Sequence, residues 1–140
     1  MTKTKAGRLI LHTDGASRGN PGESGVGVLI EDESGQILNR HARYLGHATN
    51  NQAEYTALID GLKAAHALGA DDVAVFADSE LIVKQMKGLY RVKDPGLQVL
   101  HAEARGIVRN FTRFAIDYIP RAKNKEADAL ANEAIDKRMI

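Results

Sequence analysis

Four carboxylates in this 140-residue chain stand on segments that otherwise read as apolar. Asp14 closes the run Leu9-Ile-Leu-His-Thr-Asp14, and two-residue alternation puts it on one face with Ile10 and His12. Glu54 precedes Leu58 by four residues and Leu62 by eight, which places it on or beside the apolar stripe of a helix. Asp78 directly follows the β-branched run Val73-Ala-Val-Phe-Ala77, and Asp128 shares a helical face with Ala131 and Ile135. Singly, each has a plain explanation. Asp14 can open a turn with Gly15. Asp78 with Ser79 can cap a helix. Glu54 and Asp128 can answer a helix dipole in the first turn. Together they demand more, because acids converging on one crevice repel strongly unless cations or protons neutralise them. With no cysteine in the chain and no obvious histidine partner, such a cluster selects hard cations, Mg²⁺ or Mn²⁺. Two such ions side by side form a clamp for phosphoryl transfer.

The elements that must bring these acids together can be read from periodicity and turn signals. Residues 9–14 read as a strand, followed by the turn-rich stretch Gly15–Gly25. Residues 26–31 and 36–45 are two further strands, joined by Asp32-Glu-Ser-Gly35. Apolar residues at 53, 57, 58, 62, 65 and 68 have helical period, with Gly69 as a stop signal. Residues 73–77 have the continuous apolar character of a strand covered on both faces. Helices are expected over 79–87 and 96–108, a fifth strand over 114–119 ended by Pro120, and a last helix over 124–137. The order is β-β-β-α-β-α-α-β-α. Short early connections imply antiparallel pairing and the later helical crossovers imply parallel pairing. The expected fold is α/β: a mixed five-stranded sheet, three strands antiparallel and then two parallel, with helices on its faces. Strand ends and helix N-termini on one edge of such a sheet share a crevice.

Composition narrows the function classes. Hydrophobic residues make up 44% and charged residues 26%, which is globular. A single domain over 8–140 is expected, preceded by a flexible tail, 1–7. Zero cysteine excludes a disulfide framework and a thiol nucleophile, and fits a reducing cytoplasm. No apolar run approaches the roughly 20 residues of a membrane span, and the start has no apolar core behind its charges, so neither a span nor a secretory signal is expected. A net charge of +1 is not the bulk positivity of a nucleic-acid coat, so any such binding must come from a local patch.

The chain resembles the type I branch of ribonuclease H. The matching segments are Thr13-Asp-Gly-Ala16 with Gly19-Asn-Pro-Gly22, then Thr49-Asn-Asn-Gln-Ala-Glu54, then Ala77-Asp-Ser79, and finally Asn124-Lys-Glu-Ala-Asp-Ala-Leu-Ala131. The acids keep the family's order, with gaps of 40, 24 and 50 residues. The resemblance spans residues 8 to 137. It implies hydrolysis of the RNA strand of an RNA/DNA hybrid by two Mg²⁺ ions, with Mn²⁺ as substitute, leaving a 5′-phosphate and a 3′-hydroxyl. By the same implication Asp14 bridges both ions. Glu54 and Asp78 hold the one near the leaving oxygen, and Asp128 the one that carries the attacking water. Asn20, Asn50 and Asn51 match positions that contact the RNA strand, and an amide both donates and accepts, as a 2′-hydroxyl does. Thr49 matches a position on a DNA-strand phosphate. Each of these four also has a plain reading, as turn residue or helix cap.

Two departures accompany the resemblance. Many members carry a mobile histidine before the last helix; here that loop is Pro120-Arg-Ala-Lys-Asn-Lys125. Arg121, Lys123 and Lys125 could stand in as cations but not as near-neutral proton shuttles. Many members also carry a basic protrusion. Here Lys84, Lys87, Arg91 and Lys93 surround a short linker, either as a reduced hybrid-binding patch or as a solvated face. The chain resembles the short, protrusion-less members, with a monomer expected and no protein partner evident. The competing functions are another metal-dependent nuclease or strand-transfer enzyme on the same fold, and a non-catalytic hybrid-binding module.

Overall fold

Leu9, Leu11 and Thr13 alternate into the core from the first strand, and the rest of the architecture is arranged around that strand. The computed structural model describes residues 6–138. Its elements are β1 (Ala6–Gly19), β2 (Gly22–Glu31), β3 (Ile37–Ala48), α1 (Asn50–Ala67), β4 (Ala70–Ala77), α2 (Glu80–Met86), α3 (Pro95–Val108), β5 (Arg113–Tyr118), a 3₁₀ turn (Arg121–Lys123) and α4 (Lys125–Lys137). The sheet order is β3-β2-β1-β4-β5. β1, β2 and β3 pair antiparallel, while β4 runs parallel to both β1 and β5, as the connection lengths imply. Of the expected N-terminal tail, residues 1–5 lie outside the described residues, and Ala6 and Gly7 already belong to β1. No helix among the described residues is long and apolar enough to cross a membrane.

α1 lies on one face of the sheet. Its Leu58 and Leu62 are buried with Leu11, Val28 and Val75, and Gly61 lets it approach Leu11, Thr13 and Val28. α3 packs beside α1, contributing Leu97 and Ala104 to the same core. α4 covers the opposite face, against β1, β2 and β3. Outside the core, Asp60 ties α1 to β3: it accepts two bonds from Arg43, at 2.8 and 2.9 Å, and pairs with His41 at 2.9 Å. Burial opposes ionisation of Asp60, but the bonds from His41 and Arg43 outweigh it and hold the carboxyl below its usual range.

The glycine-rich stretch 15–25 departs from expectation. It is strand almost throughout, and only Asn20 and Pro21, joined by a cis peptide, form the hairpin tip. Gly19, at φ 105°, and Gly22 shape the hairpin, whereas Gly15, Gly25 and the following Gly27 are there for close packing against helices. A Cβ on Gly15 would overlap the backbone of Ala53 and Glu54 in α1, and one on Gly27 would overlap the Ala127 carbonyl in α4. Two helices therefore rest on bare backbone at the level of the acids.

Candidate active site

Parallel pairing of β1 and β4 ends at Thr13 opposite Ala77, so Asp14 and Asp78 emerge side by side. Asp14 is itself within β1, opposite Gly27 of β2, so the turn reading for it is excluded. Glu54 stands in the second turn of α1 and accepts a hydrogen bond from the Gly15 backbone N–H, a contact that the missing Gly15 side chain permits. One carboxylate oxygen from each of Asp14, Glu54 and Asp78 lies within 4.8 Å of the others. Asp128, in the first turn of α4, stands outside that trio but close enough for its charge to bear on Asp14. It is held by Asn132, whose Nδ2 donates to the Asp128 carbonyl at 3.0 Å and to its Oδ1 at 3.3 Å, and by Arg121 at 3.5 Å.

The electrostatics follow from that crowding. Asp14 is 5% exposed, and burial, followed by the charges of Glu54, Asp78 and Asp128, drives its carboxyl far above the usual range. Glu54 is also raised, chiefly by burial and further by Asp78; the Gly15 N–H opposes the shift without cancelling it. These acids resist ionising together. A proton or a cation must compensate them, and an all-oxygen donor set suits a hard divalent ion.

The trio opens into a cleft of about 420 Å³ whose walls include Asn50, Asn51, Arg18, Arg121 and Asn132. Asn20 stands at its rim, where its Oδ1 accepts from the Asn50 backbone N–H at 3.1 Å. Thr49 forms a reciprocal cap with Gln52: Thr49 Oγ1 accepts from the Gln52 N–H at 3.1 Å, and Gln52 Oε1 accepts from the Thr49 N–H at 2.9 Å. Of the basic residues singled out in the sequence as a patch, Arg121 is the one that lines the cleft. Lys84 pairs with Glu80 at 2.7 Å and Lys87 with Asp117 at 2.9 Å. Arg91 and Lys93 are exposed and have no ion pair among the described residues; Arg91 lines a separate groove with Tyr90 and Arg105. Lys123 and Lys125 line another groove, beside His12 and Glu31.

Three side chains at the site escaped the sequence reading as site residues. Asn124 is buried against β1 and the end of β4, where it bonds to Thr13 and Asp78. Asn132 follows Asp128 by one helical turn, a spacing that could have flagged it. Arg18 pairs with Asp136 at 2.7 Å and reaches Asn132 Oδ1 at 3.3 Å.

The reverse transcriptase-like family model matches residues 12–134. The crystal structure of RNase H1 from the halophilic archaeon Halobacterium salinarum superposes with a TM-score of 0.91 and 45% identity, covering 93% of this chain and 98% of that one. The chain belongs to the type I ribonuclease H family. LC11-RNase H1, solved in complex with an RNA/DNA hybrid, is 46% identical with a TM-score of 0.88, covering 93% of this chain and 98% of that one. Ribonuclease HI of Halobacterium salinarum is 45% identical over 94% of this ribonuclease H-family chain. A bifunctional protein of Mycobacterium tuberculosis is 42% identical over 92%. The chain spans 66% of the length of the first and 36% of the second. Membership of a metal-dependent family accords with an acidic trio that could hold a metal ion.

Proposed function

We propose that this domain acts in the cytoplasm, as a monomer, as an endonuclease on the RNA strand of RNA/DNA hybrids, leaving 5′-phosphate and 3′-hydroxyl ends. The observation that carries the reading is the trio Asp14, Glu54 and Asp78. Its oxygens lie within 4.8 Å of one another, and the ionisation of Asp14 and Glu54 is suppressed. A folded chain tolerates such a cluster where a cation compensates it. The donor set fits Mg²⁺, with Mn²⁺ as substitute, and Asp14, Glu54, Asp78 and Asp128 would hold the ions. When bound, a pair of such ions supplies Lewis-acid polarisation of the scissile phosphate and stabilises the charge that develops on it.

The chain's own residues do the recognition. Asn50 and Asn51 line the cleft beside the acids, where their amides can donate to and accept from a 2′-hydroxyl. Asn20 has its oxygen engaged by Asn50, which leaves its Nδ2 to face the RNA strand. Thr49, although its hydroxyl accepts from Gln52, keeps its own O–H for a phosphate of the DNA strand. Arg121 offers a cation at the cleft wall. Arg91 and Lys93, with Lys123 and Lys125 in support, supply longer-range attraction to the duplex, whereas Lys84 and Lys87 are engaged by Glu80 and Asp117. The LC11 relative solved with a hybrid supports this choice of substrate.

The test is one panel of labelled substrates: hybrid, duplex RNA, single-stranded DNA and duplex DNA, with Mg²⁺ and with chelator. Mg²⁺-dependent internal cleavage confined to the RNA of the hybrid is the expected result. Cleavage of either DNA substrate, or cleavage that survives chelator, would refute the proposal.

A further inference from the structure

We propose that Asn124 is a positioning residue that fixes Asp78 against Asp14 and so sets the geometry of the acidic trio. The inference rests on reading that trio as a cation site. Asn124 is 2% exposed. Its Nδ2 donates to the Thr13 carbonyl at 2.9 Å and to Asp78 Oδ2 at 3.1 Å, which uses both amide hydrogens. Thr13 precedes Asp14, and Asp78 follows Ala77, the partner of Thr13 in the strand pairing. A single NH₂ group therefore spans the point where the pairing of β1 with β4 stops, beside two of the three acids. The backbone carbonyl of Asn124 accepts from the Asp128 N–H at 3.1 Å, so the same residue also seats the first turn of the helix bearing the fourth acid.

The other end of the amide shows that this is not an ordinary helix cap. An asparagine serving as a cap turns its oxygen onto an N–H of the first turn. Asn124 makes no side-chain cap bond to α4, and its buried Oδ1 has no hydrogen-bond partner. An unsatisfied buried acceptor lowers stability, so the orientation is unfavourable for folding taken alone. What it achieves is a donor inside the acidic cluster that carries no charge. A lysine in that place would neutralise Asp78 and weaken its claim on a cation. The amide commits one Asp78 oxygen and leaves the negative charge intact.

The experiment is calorimetric titration of the full chain with Mn²⁺ alone, without nucleic acid. It compares the wild type, Asn124→Ala, Asn124→Ser and the core control Val73→Ala, at a residue 0% exposed in β4. Both Asn124 variants should bind Mn²⁺ about tenfold or more weakly, the usual range for losing a partner that orients a metal ligand. Val73→Ala should lower stability and leave Mn²⁺ affinity within about twofold. Should Asn124→Ala fail to fold, Asn124→Ser, which opens a smaller space, tests the same contacts. Wild-type affinity in a folded Asn124 variant, or an equal loss in Val73→Ala, would overturn the positioning role. A wild type that binds no Mn²⁺ would overturn the cation-site reading itself, and the inference with it.

Discussion

Asp14 and Asp78 stand side by side, each one residue beyond the last paired couple of the parallel strands β1 and β4, Thr13 and Ala77. Their proximity is thus imposed by main-chain pairing, and the sheet holds two like charges together whatever their rotamers. Glu54 joins them because α1 lies close enough for its carboxylate to take the Gly15 N–H. A cluster assembled by backbone cannot relax by spreading apart.

Asp14→Asn, Glu54→Gln and Asp78→Asn should therefore each lower hybrid cleavage by roughly 10³-fold or more, several kcal/mol of barrier. Asp128→Asn should be milder, since Asp128 stands outside the trio and is partly committed to Asn132 and Arg121. Steady-state kcat/KM at saturating Mg²⁺ checks both statements. A rate near wild type in Asp14→Asn would remove the basis for a cation site.

Repulsion within the trio should also be visible as stability. Because folding raises the carboxyls of Asp14 and Glu54, the folded chain holds protons there that the unfolded chain releases. Their contribution is fully present below about pH 4. It is lost as the pH rises from the ordinary carboxylate range through the raised folded values. In chelator, denaturant unfolding should accordingly show wild-type stability falling between weakly acidic and alkaline pH, with a shallower fall in Asp14→Asn. Near neutral pH that variant should be about 1 kcal/mol more stable than wild type. Added Mg²⁺ should raise the wild-type Tm more than the variant's. A variant that melts lower in chelator would mean that Asp14 is a structural partner.

The basic residues divide by pairing. Lys84 and Lys87 are already engaged by Glu80 and Asp117, whereas Arg91 and Lys93 have no ion pair among the described residues. Each phosphate contact contributes roughly 1 to the slope of log affinity against log salt. Arg91→Ala with Lys93→Ala should flatten that slope by about 2, and Lys84→Ala with Lys87→Ala should change it little. Binding of a hybrid by a cleavage-inactive variant, titrated with KCl, distinguishes the two pairs. Equal slopes throughout would show a solvated face.

Asn50 and Asn51 permit a coupling test. Asn50→Ala and Asn51→Ala should slow hybrid cleavage about tenfold or more, while a deoxy sugar at the contacted position should cost these variants little further. Losses that simply add would show that the amides do not read the 2′-hydroxyl.

What was legible in the sequence was what local pattern encodes. Glu54 and Asp128 could be assigned to helix faces and Asp78 to a strand end, and the sheet's mixed pairing followed from connection lengths; Asp14, expected to close a strand, lies inside β1, which continues to Gly19. Thr49 could be read as a cap and is one. The stretch 15–25 was misleading because glycine usually punctuates chains; here helices pack on it, a tertiary fact with no local signature. Asn124 was legible as a helix start but not as a partner of residues 111 and 46 positions away. In the basic run the Lys84–Glu80 pair was within reach of the sequence, at one helical turn, but nothing local pointed to the partner of Lys87, since Asp117 lies 30 residues away.

The seam between β2 and α4 has one more consequence. Gly27 meets the backbone of Ala127 and Ala131 with no side chain between strand and helix, while Gly25 meets the Ala131 carbonyl beside the side chains of Ala134 and Ile135. At Gly27 the joint has no adjustable part: no side chain there can rotate to absorb an error. Every added methyl group displaces the whole helix, and Asp128 travels with it. The reach of the fourth acid is thus gauged by backbone thickness, and the helix acts as a fixed spacer whose width no rotamer can alter.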